Sequence, residues 1–514
     1  MPLIFEKLSI RGNALRPSFS WGANLSLAIG IGSLAVLSGI FVAYFCYMAD
    51  YAAIYYLLAL ALIVVLPVIV MTRDDPVRFA FTALVFGLPV IAFIVPPGRL
   101  GVSIFDYSML FVLLTELWRR ATDRQTIHAP FFPTPELMWI QLLAIPIALM
   151  AYSPAMSTWI FAENFLVYVF FLAVLRELQS SDAGERLFFF FSIAVIVLAI
   201  GVLFEKITHI NLSMSSANLN QLSYAGGAYV HRAAGFFQDP QKAAQFFSCS
   251  GVLLFAIGLG RSFSRSSIRA VVWIASIAAF CALLFTASRA ALLAGAILIP
   301  FVIIFGTRGD AIVKLLAILL VSVIFLAGLL LPTEMLIGIL PLEVASRLGN
   351  VEESLFVRVR LWFDTWDMFA DQPLSGIGLG GFKSYLIAKN PALQNYMGMG
   401  GASGIGYIPD QPESGYFKIL YEGGLLGSLA SLLLVISALW RAALVLLAPE
   451  ARPAWKAEVV GALASMLVFG LTFVTLFTLS DEKNVVIFVL PLALIWARSM
   501  TLSSESNKSF AACQ

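Results

Sequence analysis

Apolar runs of roughly 20 residues, the length a helix needs to cross a bilayer, follow one another along most of this chain, separated by short charged or Gly/Pro-containing turns. The same length criterion yields about fourteen candidates. They fall near 23–47, 51–72, 79–96, 101–118, 135–152, 156–175, 187–205, 243–260, 270–287, 290–306, 315–332, 415–437, 457–478 and 484–498. The turn at 48–50 is short enough to leave the first two open to being one run, so the expected count is about 12–14 spans. Two segments interrupt the rhythm. One covers about 206–242 and the other about 333–414. A connector of that second length is long enough to carry function of its own.

Composition supports the same class. Of the 514 residues, 60% are hydrophobic and 12% charged, whereas soluble domains carry about 25% charged residues. We therefore expect an all-α polytopic membrane protein. The net charge of +2 identifies no partner, and no nucleic-acid partner is expected. Cys46, Cys249 and Cys281 fall in apolar runs and Cys513 in the polar tail, so neither a disulfide nor a thiolate metal site is expected. About 20 mixed residues precede the first run, without the pattern of a cleavable signal.

The distribution of charge sets the orientation. With the N-terminus in the cytoplasm, most of the 32 Lys and Arg fall on cytoplasmic turns, among them Lys7, Arg73, Arg119, Arg120, Arg265, Arg269, Arg441, Arg452 and Lys456, as the positive-inside rule requires. Arg99 and Lys483 are the exceptions in short external turns. The expected organisation is N-terminal membrane helices over 1–205, a first external loop over 206–242, membrane helices over 243–332, a large external loop with interfacial helices over 333–414, C-terminal membrane helices over 415–498 and a cytoplasmic tail over 499–514. Both termini are then cytoplasmic. The two halves show no internal repeat, which disfavours common transporter architectures.

Four polar clusters fall on the external side. The first is HRAAGFFQDPQK, with His231, Arg232, Gly235, Asp239, Pro240, Gln241 and Lys242. A well-made helix start accounts for Asp239 as N-cap and Pro240 in the first turn, but not for Arg232 before it. An arginine beside a helix N-terminus can hold an anion. The second is TASRA, where Arg289 stands between two apolar runs. Snorkelling to headgroups or facing a cavity would each tolerate it there. The third, 356–381, opens with Arg358 and Arg360, a spacing suited to phosphate, and continues through Trp362, Trp366, Met368 and Phe369 as an interfacial helix. Its GxGxxG, Gly376 to Gly381, follows no strand, so a dinucleotide site is rejected. Tight backbone packing or close substrate approach explains such glycines instead. The fourth, 409–427, places Glu413 at the mouth of a long apolar helix, Tyr416 one turn on, and Glu422 deeper, where a carboxylate must be paired or protonated.

Taken in order, these clusters resemble the O-antigen ligase and Wzy-type polymerase superfamily. The matching residues are Arg232, Gly235, Phe237, Asp239, Pro240 and Gln241; Thr286, Ser288 and Arg289; Arg358 and Trp362; Asp371, Pro373, Leu374, Gly376, Gly378 and Gly380; and Tyr416, Glu422, Gly424 and Gly427. The resemblance covers about 230–430. It implies a GT-C-like glycosyltransferase of the bacterial inner membrane, with its active site on the periplasmic face. It also implies an undecaprenyl diphosphate-linked glycan as donor, and either another lipid-linked glycan or lipid A core as acceptor. The family's ligases carry a His three residues before the motif Tyr, where this chain has Glu413. That difference favours a polymerase of exopolysaccharide or O-antigen over a ligase.

Under this resemblance, Arg232, Arg289, Arg358 and Arg360 bind the donor diphosphate. Glu413 is the catalytic base, since a carboxylate can take a proton from a sugar hydroxyl. His231, Asp239, Gln241 and Tyr416 support the site. No external DxD-like motif is present, so no metal and no cofactor are expected. Membrane lipids are expected to surround the chain, and a chain-length regulator is the candidate protein partner. A lipid-linked oligosaccharide flippase would instead line a central cavity with cations, and a scaffold of an export complex would tolerate their loss.

Overall fold

The computed structural model describes, with small gaps, residues 103–114, 133–212, 222–306, 314–319, 359–389 and 412–513. The expected spans before residue 101, half of the one at 101–118 and most of the one at 315–332 lie outside the described residues. The chain is an all-α polytopic membrane protein. Among the described residues, eight helices are long and apolar enough to cross a membrane.

In chain order the elements are α1 (Pro135–Leu149), α2 (Pro154–Gln179), α3 (Ser181–Thr208), β1 (Leu222–Ala225), β2 (Ala228–His231), α4 (Pro240–Leu259), α5 (Ser266–Thr286) and α6 (Arg289–Gly306). Two short helices follow, α7 (Trp366–Asp371) and α8 (Phe382–Lys389). The long helices α9 (Gly415–Leu447), α10 (Pro453–Phe473) and α11 (Glu482–Cys513) complete the described chain. The hairpin β1–β2 is antiparallel, with Leu222 opposite His231 and Ala225 opposite Ala228. The sequence reading foresaw no strand here. Its basis is nevertheless local: Tyr and Val suit strands, and Gly226-Gly227 suits a two-residue hairpin connection.

Helix α4 is the axis of the bundle. It packs against α5, α6 and α10, while α5 also packs on α3, and α11 on α2 and α10. Nearly every α4 side chain is buried, including Gln245, Ser248 and Ser250. Those polar groups can be there because each has a partner. Ser248 Oγ donates to Ala291 O on α6 (2.8 Å), and Ser250 Oγ to Phe246 O within the helix (2.7 Å). Helix α9 is the opposite case. Leu425, Leu429, Leu432, Val435, Ile436 and Leu439 are exposed along it, a face that suits lipid.

Paired arginines bind one end of the bundle together. Arg441 on α9 meets Glu136 on α1 and Ser499 on α11 (3.2 Å). Arg498 on α11 holds Glu458 on α10 at 2.5 Å and Leu178 O on α2 at 3.2 Å. The described parts of the four motif regions gather at the other end.

Candidate active site

The segment leading into α4 is gripped from two sides. On one side, Ala233 N–H donates to Phe285 O (3.3 Å) and Arg232 Nε to Thr286 O (3.1 Å). These are the last carbonyls of α5, which have no intrahelical partner and sit at the negative end of the helix dipole. Helix α5 then stops on Ala287, whose φ of 52° is left-handed. After Ser288, α6 begins with Arg289. The first two basic clusters therefore meet at the α5–α6 turn. Arg232 is buried, 3% exposed, and Arg289 is half-buried.

On the other side stands Glu205, buried in the last turn of α3. Its Oε2 accepts from Gly235 N–H (2.5 Å) and Ala234 N–H (3.3 Å). Gly235 has φ +61°, and a Cβ there would lie 2.9 Å from Val202 N. Only glycine can take both that conformation and that approach. The Gly235 of the R-x-x-G motif is thus a docking point on α3. Asp239 then caps α4, accepting from Gln241 N–H (2.5 Å), and Pro240 occupies the first turn.

The glycine-rich segment 373–381 and α9 form a second joint. Helix α9 is broken at Gly424, with φ 59° and ψ −152°. The break frees carbonyls and amides that would be costly in a membrane unless paired again. The loop pairs them. Ile377 N–H donates to Tyr421 O (2.9 Å) and Gly378 N–H to Glu422 O (3.0 Å). In return, Leu425 N–H donates to Pro373 O (2.8 Å) and Leu426 N–H to Leu374 O (3.0 Å). Glu422 completes the joint: it takes Gly380 N–H on Oε2 (2.9 Å) and Lys418 Nζ on Oε1 (2.7 Å). A Cβ on Gly376 would sit 2.5 Å from the Glu422 carbonyl. These glycines therefore serve backbone packing. The loop also rests on the α1–α2 turn through Tyr152 N–H to Ile377 O (2.9 Å) and Leu379 N–H to Ser157 Oγ (2.9 Å).

The ends of this loop are held as well. Tyr385 hydroxyl and Lys389 both bind the Asp371 carboxylate, Lys389 at 2.7 Å. Lys389 above all, and Tyr385 after it, hold the Asp371 carboxyl below its usual range. Trp362 Nε1 donates to Pro412 O (2.8 Å), its carbonyl accepts from Tyr421 hydroxyl (2.6 Å), and its ring stacks on Phe417 at 4.9 Å.

A polar corner between α10 and α11 connects the two joints. Gln245 Nε2 on α4 donates to Thr472 Oγ1 (2.6 Å), and its Oε1 accepts from Thr478 hydroxyl. Asn484 Nδ2 donates to Lys242 O (3.2 Å). Lys483, 2% exposed, lies 3.6 Å from Asp481 Oδ1 and 5.0 Å over the Phe237 ring. From the α9 side, Tyr416 hydroxyl donates to Gly470 O (3.0 Å), and Lys418 lies 4.9 Å over the Phe477 ring.

Of the site residues expected from sequence, Arg232 and Arg289 come to one turn, while Asp239 and Gln241 form the adjoining helix start. Tyr416 commits its hydroxyl to the α10 backbone. His231 ends β2. Glu413, Arg358 and Arg360 lie outside the described residues. Sequence reasoning missed Glu205, Gln245 and the 481–484 corner. A signal existed for Lys483, which broke the charge rule. None existed for Glu205, which reads as one polar residue near the end of an apolar run.

Residues 274–432 match the family model Wzy_C, described as O-antigen ligase. That stretch runs from α5 through the first half of α9. It includes the α5–α6 turn and the whole glycine joint. No curated protein matches the chain.

Proposed function

We propose that this chain, with its similarity to O-antigen ligases over 274–432, is a GT-C-type glycosyltransferase of the bacterial inner membrane. Its donor is an undecaprenyl diphosphate-linked glycan, and its activity is the polymerisation of exopolysaccharide or O-antigen repeat units on the periplasmic face. Both termini face the cytoplasm. The observation that carries this reading is the bond from Arg232 to Thr286 O, because it brings two arginine-bearing motifs to one turn.

The chemistry needs that arrangement. An acceptor sugar hydroxyl attacks the anomeric carbon of the donor. The bond from that carbon to the phosphate oxygen breaks, and undecaprenyl diphosphate leaves with the electron pair. Fixed guanidinium groups stabilise the departing charge in a partly dry site. Arg232 and Arg289 take this role, joined by Arg358 and Arg360, and the positive end of α6 adds to it. Glu413 takes the hydroxyl proton. No metal is required in this scheme, since guanidinium groups supply the charge.

The test uses purified protein in liposomes with the lipid-linked donor alone. Release of undecaprenyl diphosphate together with a lengthened glycan is expected. Arg289→Ala should abolish both, and Glu413→Gln should stop transfer while leaving donor binding intact. Wild-type polymer from Arg289→Ala would overturn the diphosphate role. A ligase reading is favoured by the description of the matching family. Transfer to lipid A core, with none to a second lipid-linked repeat, would decide for it.

A further inference from the structure

We infer that Glu205 is a positioning residue for Arg232, acting through the backbone of the Arg232–Gly235 turn rather than on substrate. The inference rests on the reading of Arg232 as a diphosphate-binding group.

The placement of Glu205 is unfavourable unless something compensates it. Its side chain is buried, and it stands in the last turn of α3, where the helix dipole opposes a negative charge. Compensation comes from the Arg232 turn. Gly235, in the left-handed region at φ +61°, brings two successive amides, Ala234 and Gly235, onto one carboxylate oxygen. Successive amides turned this way form an anion-binding nest. The anion here belongs to the protein itself, so the nest fixes the turn instead of taking substrate.

Position then follows from the chain. Arg232 is three residues before Gly235. Between them, Ala233 is bound to the end of α5. The turn is therefore fastened to α3 by Glu205 and to α5 by Ala233 and the Arg232 Nε. With Glu205 removed, the α5 contacts and the packing of Gly235 against Val202 remain, but the turn loses the two hydrogen bonds that tie it to α3. Arg232 can then move relative to Arg289, which rides on α6. Displacement of a substrate-orienting group by about 1 Å can cost about 100-fold in rate.

The test compares Glu205→Gln, Glu205→Ala, Arg232→Ala, Arg232→Lys and Glu205→Ala/Arg232→Lys in liposomes, with donor concentration varied and folding followed by thermal unfolding. Gln keeps an acceptor oxygen at the same reach, so Glu205→Gln should keep kcat/KM for donor within about threefold, whereas Glu205→Ala should lower it by about 10- to 100-fold. Residues that act as one unit are non-additive, so Glu205→Ala should add little once Arg232→Lys has already loosened the grip on α5. Three results would overturn the inference: full additivity, wild-type activity in Glu205→Ala, or a folded Glu205→Gln as inactive as Glu205→Ala. Should Arg232→Ala itself transfer glycan normally, the diphosphate reading falls, whatever Glu205 does. An inactive Arg232→Ala beside a fully active Glu205→Ala sinks the positioning role alone.

Discussion

The Arg232–Gly235 turn that leads into α4 and the joint at α9 are both built from glycine and charge, yet they use them in opposite ways. At the turn, Gly235 and Glu205 hold the backbone so that an arginine side chain is presented. At the joint, Gly376, Gly378 and Gly424 place backbone against backbone, and the charges of Glu422 and Lys418 bind each other and the loop. The first region fixes where the Arg232 side chain sits. The second repairs a broken helix inside a membrane. Motif glycines therefore carry no single meaning, and the partner of each backbone amide decides which one applies.

Substitution can sharpen or break this contrast. The largest effect is expected on catalysis. Arg232→Ala should reduce glycan transfer by about 100- to 1,000-fold, the usual cost of losing one fixed donor to developing negative charge, while the protein still folds. Transfer assays beside thermal unfolding in detergent would check this, and unfolding in step with lost activity would erase the distinction between the regions.

Gly376→Ala should act in the reverse sense. The left-handed backbone alone costs about 1–2 kcal/mol, and the new Cβ meets the Glu422 carbonyl at 2.5 Å, so thermal stability should fall sharply. Gly184→Ala is the control, because its Cβ would find its nearest neighbour at 3.9 Å. A stable but inactive Gly376→Ala would move the joint into the active site.

The corner between the two regions should respond less than a direct break in the joint but still clearly. Lys483→Met leaves Asp481 buried without its counter-ion. Stranding a buried charge costs about 3–5 kcal/mol. Adding Asp481→Asn should recover part of the lost melting temperature. No recovery would mean that the pair is not coupled.

The smallest effect is expected at the exposed end of the glycine loop. The Asp371 carboxyl is held below its usual range by Lys389 and Tyr385, so its contribution is complete above the unfolded-state value and lost as pH falls through the lower folded-state value. Melting temperature should therefore drop only in acid, below the ordinary carboxylate range near pH 4. The drop should be smaller in Asp371→Asn.

Much of this was legible in the chain. Helices α2 to α6 and α9 to α11 correspond to apolar runs. Asp239 and Pro240 mark the start of α4 correctly, because a cap is a local device. Glu422 could be expected to bind a loop or neighbour, since a carboxylate within a span needs a partner. The hairpin and the break at Gly424 could not be read with the same ease. A glycine in a long apolar run is compatible with an unbroken helix until a second segment arrives to take its freed carbonyls.

Sequence alone determined that the chain is a polytopic membrane protein and that arginine-bearing motifs interrupt its apolar runs. Apolar length and charged turns are properties of contiguous residues, and the bilayer reads them locally. Only the tertiary structure decided that Arg232 reaches the end of α5, that Glu205 holds its turn, and that the glycine loop completes α9. Each of these joins residues dozens of positions apart, and nothing in one segment specifies which distant carbonyl or amide will satisfy it.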